Sequence, residues 1–169
     1  VWIDHHQTSI KTEKENTWMQ KIPGIRDNRK CGTAIAYLYY CVSPFETMPE
    51  NIEKIELPKI IDYIDSYDRW SHHLEYTEEF HYGLLVKDPM DEFFTKYPKW
   101  KEKGDEINSL IGTIIDSGES NLKFFDYENR SLHLKYSYPF WIKYNDVNYR
   151  CLAINRRGPS RMFLDEIKE

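Results

Sequence analysis

The feature that most constrains the 169-residue chain is a run from Asp105 to about Tyr127. In it Ile107, Leu110, Ile111, Ile114 and Ile115 recur at i, i+3, i+4, i+7 and i+8. That spacing turns every one of them onto a single helical face, and a face so apolar has to be covered by other elements. Gly112 and Gly118 should weaken the helix locally, by about 1 kcal/mol each against alanine. Beyond Asn129-Arg130 the period changes from helical to alternating. Leu132, Leu134 and Tyr136 alternate, then Phe140, Ile142 and Tyr144; Asn145-Asp146 is a turn signal, and Tyr149 to Ile154 reads as another strand. The helical run, 105–128, thus separates residues 1–104 from a segment of alternating pattern, 129–169.

The chemistry is concentrated at the opening, Val1-Trp2-Ile3-Asp4-His5-His6. A short apolar run bounded by polar residues predicts a buried parallel strand. Asp4, His5 and His6 would then stand at its carboxyl end, where open α/β sheets bind ligands. A carboxylate with neutral imidazoles suits Mn²⁺, Zn²⁺ or Fe²⁺. Ser71-His72-His73-Leu74 carries the same pair without a strand or an adjoining acid, and reads as surface.

Between these landmarks, Ser9 to Lys30 is polar and reads as irregular, with a turn at Pro23-Gly24. Arg26 to Lys30 leads into Cys31-Gly32-Thr33 and a helical segment, Ala34 to Tyr40. A basic, small-residue turn opening a helix suits an anion, and equally an ordinary capped surface turn. A further helix starts near Leu57-Pro58, buries Ile60, Ile61 and Ile64, and ends in Asp65-Ser66-Tyr67-Asp68-Arg69-Trp70. Acids at a helix C-terminus oppose its dipole, and a bound cation would offset that. Glu78–Lys87 and a short stretch around Asp91–Tyr97 also read as helical.

Composition excludes some classes. With 40% hydrophobic and 15% aromatic residues the chain can bury a core, so it is not disordered. A net charge of −5 supplies no positive field for nucleic acid, which argues against a pure DNA-binding module. Cys31, Cys41 and Cys151 are odd in number and lack CxxC spacing, so neither a disulfide framework nor a zinc knuckle is expected; Cys31 and Cys41 read as buried thiols. No signal peptide or membrane span is visible, and the expected location is cytoplasmic. The chain opens on Val in mid-strand and is expected to be a piece of a longer protein.

Ile3-Asp4-His5-His6-Gln7-Thr8 resembles the signature of the DHH phosphoesterases, the superfamily of RecJ exonucleases, oligoribonuclease-type enzymes and family II pyrophosphatases. Asp68-Arg69-Trp70 resembles the Asp-x-Trp stretch of its oligoribonuclease-like branch. The resemblance implies part of a doubly wound parallel-sheet domain, mostly helical after the first strand, followed by a linker helix and the first hairpin of a DHHA1-type lobe. It also implies a metal-dependent hydrolase for phosphodiester or phosphomonoester bonds of short oligonucleotides or nucleotides. Mn²⁺ is the expected metal, with Mg²⁺ or Co²⁺ as substitutes. His5 would be a ligand, Asp4 a ligand or the acceptor that orients one, and His6 a contact to phosphate or to a second metal. Asp68 would close the shell, with Asp65 as the alternative one register away. Arg29 and Arg156 would touch substrate phosphate; for Arg156, Arg157 and Arg161 a solvated loop is the plainer reading. The family's upstream Asp-x-Asp and the Gly-rich stretch of its accessory lobe are not in this sequence. Part of one metal site, and little activity from these residues alone, is therefore expected.

Overall fold

The computed structural model describes residues 1–42, 50–87, 95 and 98–154. They form α1 (Gln7–Glu15), α2 (Gly32–Tyr37) continued by a π turn over Leu38–Val42, α3 (Lys59–Asp68), α4 (Thr77–Lys87) and α5 (Asp105–Tyr136), then strands β1 (Ser137–Tyr144) and β2 (Val147–Ile154). The expected mixed α/β character holds, with helix predominating. No helix among the described residues is long and apolar enough to cross a membrane. The chain divides into two compact units, Val1–Gly118 and Glu119–Glu169.

The first unit is built around α3. Proline at its N-cap starts the helix without wasting a donor, and its buried Ile60, Ile61 and Tyr63 reach two clusters. Ile60 and Tyr63 pack with Phe80 and Leu84 of α4 and with Ile107, Ile111 and Ile114 of α5. Ile61 packs with Cys31, Ala34 and Leu38 beside α2, and with Ile52 and Leu57. Each fully buried side chain of this size contributes about 1.5–3 kcal/mol. α4 and α5 touch backbone to backbone. A Cβ at Gly83 would fall on the Ile114 carbonyl, and one at Gly118 on the Glu79 carbonyl. The glycine that weakens α5 locally is what lets the helices approach.

The opening segment runs parallel to residues 23–27. Trp2 N–H donates to Pro23 O (2.7 Å), Asp4 N–H to Ile25 O (3.0 Å), and Asp27 N–H to Asp4 O (3.1 Å). Gly24, at φ +139°, permits the approach, because a Cβ there would fall on the Trp2 backbone. The pairing amounts to one bridge, Asp4 with Arg26, and the run is not buried: Val1 is exposed, Trp2 and Ile3 half-buried. Among the described residues its backbone pairing is with residues 23–27 alone.

Three other expectations are corrected within the described residues. Residues 7–15 form a helix where irregular chain was expected; α1 buries no residue, so it has no apolar stripe to betray it. Cys31 is buried, but Cys41, on the π turn, is exposed. The segment Leu132–Tyr136 continues α5 and is not a strand. Leu132 and Tyr136 stand at i, i+4, a spacing that fits both periods. The helix expected around Asp91–Tyr97 falls, residue 95 apart, outside the described residues.

In the second unit the hairpin turns at Asn145-Asp146, both at positive φ (48° and 59°), the geometry of a two-residue type I′ turn. Pairing of Tyr138 with Ala153, Phe140 with Cys151, Ile142 with Tyr149 and Tyr144 with Val147 puts these residues on one face.

Candidate metal centre

Asp4 ends the paired segment just before α1, whose N-cap is His6. His6 makes no side-chain cap, and the Asp4 carboxylate serves the helix start instead. Its Oδ1 accepts the His6 N–H (3.0 Å) and lies 2.7 Å from His6 Nδ1; its Oδ2 accepts Ser9 Oγ–H (2.6 Å). Burial pushes the Asp4 carboxyl up, but the donors of Ser9 and His6 outweigh it and hold it well below the usual carboxylate range. An ionised Asp4 takes the proton-bearing Nδ1 of His6, which leaves the lone pair on Nε2 of a ring 69% exposed. This is the carboxylate–histidine arrangement that orients metal ligands.

His5 faces the other way. Its Nδ1 accepts the Gly32 N–H (3.1 Å) at the start of α2, and its Nε2 lies 3.2 Å from Asp68 Oδ2 at the end of α3. With Nδ1 accepting, the neutral ring carries its proton on Nε2 and donates it to Asp68. The two imidazoles are adjacent, ring centroids 4.4 Å apart. Asp4, His5 and His6 each offer a ligand atom within 4.8 Å of the others. Two ligands of one ion at about 2.1 Å stand about 3.0–3.4 Å apart, the separation at which His5 and Asp68 are held. The donor set fits a divalent ion. Asp68 is not a member of that three-residue group and meets it through His5, which becomes a ligand through Nε2 by giving up the Gly32 hydrogen bond, worth about 1 kcal/mol.

Asp68 and Asp65 have separate surroundings. The Asp68 side chain is 48% exposed. Asp65 is fully buried, accepts the Cys31 N–H (2.6 Å) and pairs with Lys30 (3.3 Å) and Arg69 (3.6 Å). It ties α3 to the turn before α2. Arg29 forks onto Asp27, with guanidinium contacts of 2.8–3.1 Å, and reaches Glu50 O at 3.3 Å. Asp27 in turn holds the backbone of Asp4, so Arg29 stands near the centre with its charge engaged. Arg156, Arg157 and Arg161 lie outside the described residues. Of the second histidine pair, His73 is exposed and 3.2 Å from Asp62, while His72 is only half-buried and its Nε2 is enclosed without a partner.

The sequence reading missed a cavity of about 220 Å³ beside Asp68, with Thr33, Ile64, Tyr67, His81 and Leu84 among its walls. Tyr67 and His81 stack there, centroids 3.5 Å apart and 8° from parallel. Burial pushes the His81 imidazole below its ordinary value, against a partial upward pull from Asp68, so it is neutral at pH 7. The spacing Tyr67 to His81 spans two helices and leaves no local pattern to read. No family model, curated protein or solved structure matches the chain.

Proposed function

We propose that this chain serves a metal-dependent phosphoesterase of the DHH type, acting on phosphodiester or phosphomonoester bonds of short oligonucleotides or nucleotides. The observation that carries the reading is the 3.2 Å approach of His5 to Asp68, which joins the two segments that resemble the family. The chain of the proposed enzyme would belong to a doubly wound parallel-sheet domain, in the cytoplasm, where free thiols such as Cys31 and Cys41 persist.

In this reading Asp68 and, once its Gly32 bond is released, His5 hold a divalent ion with Asp4 and His6 beside His5, Mn²⁺ by preference over Mg²⁺ because of the imidazoles. Bound ions would polarise the phosphate and lower the pKa of a water. Asp4 keeps the His6 ring in the ligand tautomer, and Gly32 N–H sets the His5 ring when the ion is away. Mn²⁺-dependent hydrolysis of a dinucleotide and of bis(p-nitrophenyl) phosphate by the full-length protein tests the proposal. Loss in both His5→Ala and Asp68→Ala supports it; absence of hydrolysis in the parent refutes it. A second reading, a non-catalytic nucleotide- or protein-binding module of the same fold, is favoured by one observation: His5 is fully hydrogen-bonded to Gly32 and Asp68 with no ion needed.

A further inference from the structure

Next to the proposed centre, α3 ends in a way that costs stability. Ser71 N–H donates to Ser66 O (3.1 Å) and Trp70 N–H to Tyr67 O (2.9 Å), the paired bonds of a Schellman cap. In that cap the residue after the C-cap adopts the left-handed conformation and is usually glycine. Here it is Trp70, at φ 55°. A bulky L-residue is disfavoured in this region, and such departures cluster at functional sites. The indole gains little burial in exchange, being 52% exposed. It lies instead against Tyr67, centroids 5.3 Å apart, and Tyr67 stacks on His81 at the cavity beside Asp68.

We propose that Tyr67 and His81, with Trp70 lying against Tyr67 outside the cavity walls, form a binding platform for one planar heterocycle, the nucleobase adjoining the phosphate held at His5, His6 and Asp68. Naming the ring a nucleobase rests on the phosphoesterase reading. The cavity, about 220 Å³, is smaller than the roughly 300–1,000 Å³ of drug-sized sites and suits a single ring system. Its walls are apolar at Ile64 and Leu84, which favours a π-face, and Thr33 and His81 offer polar atoms for a base edge. Stacking of this kind tolerates any base, so the platform selects for a base without selecting which one.

The test is adenosine binding to the metal-free full-length protein by calorimetry, with ribose as control. Adenosine has no phosphate, so the measurement requires neither metal nor turnover. The expected result is saturable adenosine binding and none of ribose. Trp70→Gly, which suits the left-handed backbone, should weaken binding about tenfold or more with the melting temperature kept or raised; Trp70→Phe should retain it. His81→Ala should also weaken it. If the wild type does not bind adenosine, or Trp70→Gly binds like the wild type, the platform is refuted, even if dinucleotides are hydrolysed. If adenosine binds and nothing is hydrolysed, the platform stands and the phosphoesterase reading falls.

Discussion

Replacing Asp65 with alanine should unfold the first unit far more readily than replacing Asp68, three residues on. The Asp65 carboxylate is wholly buried and accepts a 2.6 Å bond from the Cys31 N–H. Lys30, whose side chain is only 10% exposed, lies 3.3 Å away. Removing the carboxylate strands the ammonium and the N–H together in the interior. Breaking one side of a buried ion pair costs about 3–5 kcal/mol, because the remaining charge is uncompensated. For a chain of this size each kcal/mol moves the melting point by roughly 2–4 °C, so the shift should be on the order of 10 °C. The Asp68 side chain is 48% exposed and meets His5 at 3.2 Å, an arrangement worth about 0–1 kcal/mol. Urea and thermal unfolding followed by circular dichroism measure both variants. An Asp65→Ala protein within about 1 kcal/mol of the parent, or an Asp68→Ala protein equally damaged, would refute the division into a structural and a functional aspartate.

Other outcomes follow from the same geometry. Gly83→Ala should cost at least about 1–3 kcal/mol, since its Cβ meets the Ile114 carbonyl and α4 and α5 must part; an unfolding curve matching the parent would contradict the crossing. Ser9→Ala should raise the Asp4 pKa toward the normal value, observable by NMR titration of the carboxyl. Because that pKa is depressed on folding, Asp4 contributes stability above about pH 4 that is lost as pH falls through the folded value, and Ser9→Ala should shrink this acid-labile part. His81, whose folded pKa is lowered by burial, should titrate below about 6.5 and destabilise the fold as pH drops through that value; a normal or raised NMR titration point would contradict its burial.

Much of the helical framework was legible in the sequence because it carries an apolar stripe. Ile107 to Ile115 and Ile60 to Ile64 each mark a face, and those faces are the core. α1 has no such stripe and was missed. Leu132 and Tyr136 satisfy both periods, and the helix continued through them. At the site, Asp4, His5 and His6 announce themselves as neighbours, whereas Asp68 enters only through the resemblance, with Asp65 as its alternative. Asp65 could not be set aside from sequence, since residues three apart share a helical face. What separates them is tertiary: the Cys31 N–H and Lys30 meet one, His5 the other. The reversed orientation of the two imidazoles, His6 toward Asp4 and His5 toward Gly32 and Asp68, depends on hydrogen bonds that no spacing encodes.

Mn²⁺ binding to the full-length protein, followed by the loss of the free-ion electron paramagnetic resonance signal at pH 7.5, tests the central claim most directly. Saturable binding is expected, weakened about tenfold or more in His6→Ala and in Asp68→Ala. Binding unchanged in both variants, or no binding by the parent, would contradict a metal centre at Asp4, His5, His6 and Asp68.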